Sequence, residues 1–205
     1  MFQYWDRLRG SRSAPQRAEI EPVEIKSLLA DTFILERDGR GEAIFRLAGT
    51  RLCATYGREL KGYSFPLLWT QRDQRIVSRH AYSVFHNNAV VVIGFDGACA
   101  NGKTAEFEML LLPLHGGPGG KGGSPRLLGV IAPSERPYWL GAIPVTENAI
   151  NTLRVVDPDR ERLFLPPRPT IAGPSIMPGK AEIAANGIGG RRIKHLVVFE
   201  GGRDD

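Results

Sequence analysis

The sequence predicts an α+β domain in which a five-stranded antiparallel sheet carries helices on one face, with an N-terminal helix before it and an irregular C-terminal tail after it. Two apolar segments at 32–36 and 43–48 flank an Asp38-Gly39 turn signal. An amphipathic stretch follows at 71–86, and three apolar segments lie between 89 and 132. Consecutive strands joined by turns pair antiparallel, so the three later strands and the two early ones form one sheet.

The first 30 residues predict a helical cap. Tyr4, Trp5 and Leu8 fall on one face of a short helix. Pro22 opens a second helix, because a proline costs no hydrogen bond in the first helical turn. Aromatic side chains on a short helix either pack on their own sheet or meet a partner, so Tyr4, Trp5 and Leu8 are candidate dimer contacts.

Residues 31–141 predict the core of the domain. In the strand at 43–48, alternation places Phe45 and Leu47 on one face and Arg46 on the other. Thr50 suits the N-cap of the short helix that follows. The helix at 71–86 is the longest, and an apolar stripe faces inward along it; the stripe consists of Ile76, Val77, Ala81, Val84 and Phe85.

Strands at 89–95, 104–114 and 126–132 complete the core, and the glycine-rich segment HGGPGGKGGS at 115–124 predicts a flexible loop between the last two. After Gly141 the periodicity weakens. Residues 142–205 therefore predict a Pro/Gly-rich tail, with six prolines in 157–180 and one short strand near 193–199.

Composition favours a cytoplasmic protein that binds neither membrane nor nucleic acid. No apolar run approaches the roughly 18 residues of a membrane helix, and the charged N-terminus is unlike a secretory signal. Cys53 and Cys99 lack metal or disulfide spacing, which fits a reducing compartment. The net charge of +5 is spread along the chain, and the cluster at 191–195 indicates a solvated strand edge rather than a nucleic-acid patch.

Several segments, in order along nearly the whole chain, resemble a family of small PAS-type proteins common in alphaproteobacteria. They are YWDRLRG (4–10), RAEIEP (17–22), FRLAGTRLCATYGREL (45–60), EMLLLPL (108–114), LLGVIAPSERPYWLG (127–141) and HLVVFEGGR (195–203). The resemblance implies a PAS fold and a single-domain signalling or regulatory protein with no fused kinase or cyclase. It implies no particular ligand, because PAS domains carry flavin, haem, small metabolites or nothing.

Eight side chains are candidates for lining the cavity that a PAS domain encloses: Phe45, Leu47, Cys53, Tyr56, Trp69, His80, Val84 and Phe85. A filled apolar core explains the same residues and is the interpretation we favour. His80 lies on the helix that corresponds to the one carrying a haem ligand in some PAS domains. We favour the alternative, in which this histidine bonds to the backbone or to solvent. Cys53 lies inside a helix without the motif of flavin photoreceptors, so we expect no flavin.

Residues 97–104, GACANGKT, match the phosphate-binding pattern G-x-x-x-x-G-K-[ST]. A phosphate-binding loop must lead into a helix, and the following residues alternate as in a strand. Asn101-Gly102 is also a hairpin signal. A P-loop nucleotide hydrolase is therefore the alternative from another functional class.

The function that the sequence favours is a non-enzymatic regulatory protein that acts through signalling partners and forms a homodimer. We expect no bound cofactor. A dedicated small-molecule or haem sensor is the alternative within the same fold, and Arg51, Arg58 and Arg72 are candidates to bind an anionic metabolite, although surface solvation explains these arginines equally well.

Overall fold

The computed structural model describes residues 1–116 and 125–161 and the backbone of two further strands, Gly190–Ile193 and Leu196–Phe199. The chain divides into two compact units, 1–165 and 166–205. In the part of the chain that is described, no helix has both the length and the apolar character needed to cross a membrane.

The first unit contains one antiparallel sheet in the order β2-β1-β5-β4-β3-β6. Its strands are β1 Thr32–Arg37, β2 Ala43–Ala48, β3 Val90–Cys99, β4 Thr104–Leu114, β5 Arg126–Pro133 and β6 Val145–Val156. The α+β class and the five expected strands are confirmed, but the strand count of five is wrong. The sixth strand, β6, comes from the segment predicted as tail and pairs with β3 from Val90↔Val156 to Cys99↔Val145.

The described part of this unit contains four α-helices: α1 Phe2–Arg9, α2 Thr50–Thr55, α3 Gln74–Asn87 and α4 Pro158–Glu161. α3 begins three residues later than the sequence predicts, and Asn88 ends it in the left-handed conformation with φ 54°. Gly49 rather than Thr50 is the N-cap of α2. The predicted helix after Pro22 consists instead of 3₁₀ turns at Pro22–Ile25 and Leu29–Asp31; similar turns occur at Arg17–Glu19 and Pro66–Leu68.

The inner face of the sheet, which packs against α2 and α3, carries the main hydrophobic core. Along α3 the buried stripe is Val77, Ala81, Val84 and Phe85, so four of its five predicted members are confirmed. In β4, the buried residues Phe107 and Met109 alternate with exposed glutamates, as expected for a strand with one face in the core.

The outer face of the sheet is also covered, by α1 and the residues that follow it. Trp5 is fully buried there, and its Nε1 donates a hydrogen bond of 2.8 Å to the carbonyl of Pro113 in β4. The second hydrophobic cluster consists of Trp5, Ala14, Ile20, Ile25, Ile34, Val90, Leu112, Leu114 and Leu128. The expectation that helices cover only one face is therefore wrong, because the N-terminal cap packs on the other.

A bulge in β2 changes the predicted alternation of that strand. Leu35 pairs with Phe45 and Ile34 pairs with Leu47, so Arg46 is an extra residue between two paired positions. Phe45 points into the core, whereas Leu47 lies opposite Ile34 on the outer face and is 50% exposed. Leu47 and Phe45 consequently lie on different faces, contrary to the prediction.

In the second unit, Gly190–Ile193 (β7) and Leu196–Phe199 (β8) form an antiparallel two-stranded sheet. β8 agrees with the short strand predicted near 193–199. The glycine-rich loop at 117–124 and the proline-rich segment at 162–189 lie outside the described residues.

Candidate functional site

The interior between α3 and the sheet is filled by large aromatic side chains. A continuous series of ring contacts, with centroids 5.0 to 6.0 Å apart at successive steps, runs from β1 to β4. Its members are Phe33, Phe45, Phe65, Trp69, Phe95 and Phe107. Offset or edge-on contacts of this kind stabilise a core, so aromatic side chains fill the interior along this series.

The eight predicted lining residues fall into three groups. Those buried in this core are Phe45, Tyr56, Trp69, Val84 and Phe85. Cys53 and His80 are half-buried, and the Sγ atom of Cys53 lies 3.8 Å from Oε1 of Glu59. Leu47 lies on the outer face, away from the interior. The structure therefore brings five of the eight together, as parts of one packed core.

A buried polar cluster interrupts the apolar interior where β6 meets the end of the 66–68 turn. Nδ2 of Asn148 donates to the hydroxyl of Tyr56 over 3.0 Å, and the carbonyl of Asn148 accepts from Thr70 N–H at 2.9 Å. Asn148 is fully buried, yet its Oδ1 has no hydrogen-bond partner among the described residues, and neither has Nε1 of Trp69. Burial raises the pKa of Tyr56, so its hydroxyl stays protonated.

Asp73, at the start of α3, forms a hydrogen bond with β6, the strand that contains Asn148. Its side chain is buried, and Oδ2 accepts a hydrogen bond of 2.9 Å from the backbone N–H of Ile150 in β6. The ion pair with exposed Arg72, 2.9 Å from Nε, is the main cause that lowers the pKa of Asp73. Arg72 thus pairs with the carboxylate that connects the start of α3 to β6.

His80 does not fit a haem ligand. It lies at the margin of α3, half-buried, and burial lowers its pKa with a smaller contribution from Arg79. The interior beside it is filled by fully buried Val77, Ala81 and Val84, together with the aromatic series. A macrocycle has no space next to this imidazole.

Residues 97–104 form a hairpin, so the phosphate-binding loop hypothesis is wrong. β3 and β4 pair antiparallel up to Ala98↔Thr104. Between them Gly102 has φ 82°, and the N–H of Cys99 donates to the carbonyl of Lys103 at 2.8 Å. A strand rather than a helix follows Thr104, which removes the helix N-terminus that a phosphate requires.

An open cleft of about 230 Å³ lies between α2 and the segment 133–141. Its floor is apolar and consists of Leu52, Phe107 and Ile131, and Leu140 forms the opposite wall. At its mouth Arg51 and Arg136 both approach Oδ1 of Asp31, at 3.1 and 3.7 Å. Of the three arginines that the sequence offers for an anion, only Arg51 lies here, since Arg58 stacks on Tyr63 and Arg72 pairs with Asp73.

A second concavity, the outer groove, lies on the outer face between α1 and β6. It measures about 200 Å³ and is lined by Phe2, Val90, Val92, Glu108, Leu110, Arg154 and Val156. The predicted dimer contacts lie to one side of it: Trp5 is fully buried, Leu8 is half-buried, and the hydroxyl of half-buried Tyr4 accepts from Glu21 N–H at 2.7 Å. Trp5 packs on its own sheet and is not available to a partner.

Sequence reasoning missed Asn148, Arg136 and the outer groove. Asn148 sits in the segment predicted as tail, and a single asparagine carries no local signal of burial. Arg136 is far from Arg51 in the sequence, and only the fold brings the two side chains close together. The turn that follows Arg136, at 137–143, is held by hydrogen bonds from the N–H groups of Ala142 and Ile143 to the carbonyl of Trp139.

Comparison with known proteins identifies the fold. A family model described as "PAS domain" matches residues 1–132. Among solved structures, the PAS domain of an HTR-like protein from Haloarcula marismortui is 19% identical, covering 54% of this chain and 89% of that one with a TM-score of 0.39. The Rhodobacter sphaeroides LOV protein is 12% identical, covering 58% of this chain and 71% of that one, with a TM-score of 0.40.

The PAS domain of a protein from Colwellia psychrerythraea is 15% identical, covering 55% of this chain and 97% of that one, with a TM-score of 0.37. A search of curated proteins finds no match. None of these comparisons tests the alphaproteobacterial source, which stays a prediction. The family model, however, spans most of the chain and includes β1 to β4 and nearly all of β5, so this protein belongs to the PAS domain family.

Proposed function

We propose that this protein is a non-enzymatic, cytoplasmic regulatory PAS protein that acts by binding another signalling protein at the outer groove. The observation that carries the proposal is the contrast between a filled interior and an open, partly apolar groove on the outer face. The free thiols of half-exposed Cys53 and buried Cys99 agree with a reducing compartment.

The outer groove has the character of a small interaction site. Val90 and Val92 form its buried floor, and half-buried Phe2, Leu110 and Val156 form its sides. Phe2 is the first residue of α1, and among the described residues the rest of the lining comes from β3, β4 and β6. A partner that inserts one apolar side chain here removes apolar surface from water on both molecules.

The groove itself is lined by one acidic residue, Glu108, and one basic residue, Arg154. Further acidic residues continue from it along β3 and β4 and indicate the charge of the partner. Asp96 and Glu106 are directly opposite each other across β3 and β4, and Glu108 is the next outward residue on β4. Like charges opposite each other in a sheet are unfavourable. A partner segment with an apolar side chain next to Lys or Arg relieves this repulsion, so we propose an amphipathic basic segment as the occupant.

Photo-crosslinking from position 110 tests the site. A crosslinker in place of Leu110 is expected to capture a partner in cells, and the purified pair is then measured by calorimetry. We expect Glu108→Lys to weaken binding about tenfold, because an attractive charge becomes repulsive, and Leu110→Glu to weaken it further. Glu135→Lys, an equal charge change at an exposed position outside the groove, is the control.

Equal affinities of the Glu108→Lys, Leu110→Glu and Glu135→Lys variants would contradict the proposal. So would equal capture from exposed Tyr138, which lies on the loop after β5 and is 92% exposed.

We also propose that the protein forms a homodimer through the edge of β6. In the described part of the chain β6 pairs with a strand on one side, and Asp73 binds the backbone at Ile150 on the other. From 151 to 156 no described strand pairs with the free edge of β6, and Val155 is 58% exposed. An exposed strand edge is a template for pairing with a second copy.

A small-molecule sensor is the second candidate function, and the buried cluster of Trp69, Asn148 and Tyr56 favours it. Buried polar atoms nearly always have partners. An unmatched N–H donor on Trp69 and an unmatched oxygen on Asn148 in one interior region are the groups that a small polar ligand would satisfy.

Native mass spectrometry of the purified protein tests both the dimer and the sensor. A homodimer gives twice the chain mass. A ligand gives added mass that disappears on unfolding, is lost in Asn148→Ala and persists in Asn151→Ala, whose side chain is exposed. A spectrum of unmodified monomer at tens of micromolar protein would contradict both proposals and leave the partner proposal standing.

A further inference from the structure

We propose that the cleft between α2 and the segment 133–141 binds a small organic carboxylate with an apolar body. The cleft shares no lining residue with the outer groove or with the buried polar cluster. It combines an apolar floor with two arginines at its mouth, and each part fits one half of such a molecule.

The apolar lining of the cleft provides the apolar contact. Exposed Ala54 and half-buried Pro133 and Leu140 supply its accessible surface. Leu52, Phe107 and Ile131, each 2 to 3% exposed, are held in the core and form the base. Leu140 forms the opposite wall and belongs to a turn that buried Trp139 anchors in the core. The volume of about 230 Å³ lies just below the usual range of ligand sites, so it suits a small aromatic or branched acid.

The mouth provides the charge. Arg51 and Arg136 share one oxygen of Asp31, at 3.1 and 3.7 Å, and their side chains are 42% and 51% exposed. Two positive charges and one negative charge give the mouth of the cleft a net charge of +1. Asp31 holds both guanidinium groups at the rim, while each keeps further N–H donors for a ligand.

A carboxylate matches this arrangement better than other anions. Its two oxygens lie in one plane and accept the parallel N–H groups of a guanidinium. Its single charge equals the excess at the mouth, whereas a phosphate monoester carries nearly two negative charges at neutral pH. The apolar floor also disfavours a small hydrated anion such as acetate, which gains nothing from it.

Calorimetric titration of the full chain with 4-isopropylbenzoate, accompanied by backbone NMR shifts, tests the site. We expect saturable binding, with the largest shifts in α2 and residues 133–141. The neutral analogue 4-isopropylbenzamide and acetate should each bind at least tenfold more weakly, since each lacks one half of the interaction. These comparisons use the unaltered protein and do not depend on a variant folding.

Two variants distinguish an effect of the cleft from an effect of the overall surface charge. Arg136→Gln should weaken binding of 4-isopropylbenzoate about tenfold, as expected when one charge-assisted hydrogen bond is removed. Arg75→Gln removes the same charge from an exposed position on α3 and should leave binding unchanged. Equal effects of the two variants, equal binding of acid and amide, tighter binding of phenyl phosphate, or no saturation at millimolar ligand would each overturn the proposal.

Discussion

Replacing Trp5 by alanine is expected to lower the free energy of unfolding by about 3–5 kcal/mol, the range for removing a large buried aromatic side chain. Trp5 is fully buried between α1 and the sheet, and the guanidinium of Arg9 lies 5.4 Å from its ring centroid. Without the indole, α1 loses its main contact and the outer face of the sheet is uncovered. Urea denaturation followed by circular dichroism measures the change.

Trp5→Phe is the matched control, because it keeps an aromatic ring and removes the N–H that binds Pro113. We expect about 1–3 kcal/mol, the cost of leaving a buried carbonyl without its donor. A loss below about 1 kcal/mol for Trp5→Ala, outside the range expected for such a truncation, would show that α1 is not held on the sheet in solution.

Gly129→Ala is the second substitution with a large expected effect. A Cβ atom at Gly129 would lie 2.0 Å from Cζ of Phe33 and 2.4 Å from two neighbouring ring carbons. Phe33 is fully buried, with Phe45 and Phe65 rings at 5.3 and 6.2 Å, so it cannot move aside without displacing them. We expect a loss of about 3 kcal/mol, at the upper end of the usual cost of overpacking.

The control for this prediction is Gly39→Ala, at a turn where an added Cβ meets no atom within 4 Å and no positive φ is required. Its effect should stay within about 0.5 kcal/mol, as for most surface substitutions. If the midpoints of thermal unfolding for Gly129→Ala and Gly39→Ala coincide, the close packing of Phe33 on β5 is incorrect.

Strands with a regular pattern could be predicted from the sequence. Thr104–Leu114 has the predicted bounds, because its polar and apolar residues alternate before a fully apolar end. β6 could not be predicted in this way. It is an edge strand whose sequence, VTENAINTLRVV, consists mostly of polar or exposed residues. An edge strand is defined by the strand it pairs with, which periodicity within one segment does not reveal.

The errors within predicted elements have similar causes. Alternation assigns Leu47 to the inner face, but the bulge at Arg46 shifts the register by one residue and moves Leu47 outward. The amphipathic pattern of α1 correctly indicates an apolar face around Trp5. It does not indicate which side of the sheet that face covers, because this depends on the path of residues 10–31.

The candidate sites were less predictable than the fold. The apolar pattern of the sequence indicated which residues form the packed core, and five of the eight proposed lining residues lie in it. The cleft depends on Asp31, Arg51 and Arg136, which are far apart in sequence and meet only after the strands have paired. No local pattern links them, so only the three-dimensional arrangement reveals the pair of arginines.

The position of β6 also bears on how this protein can be cut for experiments. The family match ends at residue 132, whereas β6 begins at Val145. A recombinant fragment that ends at the limit of the match, or the product of a gene with a premature stop codon there, would keep every residue of the match. Either polypeptide would lack Asn148 beneath Tyr56 and the backbone partner of Asp73 at Ile150, so an intact match would conceal an incomplete protein.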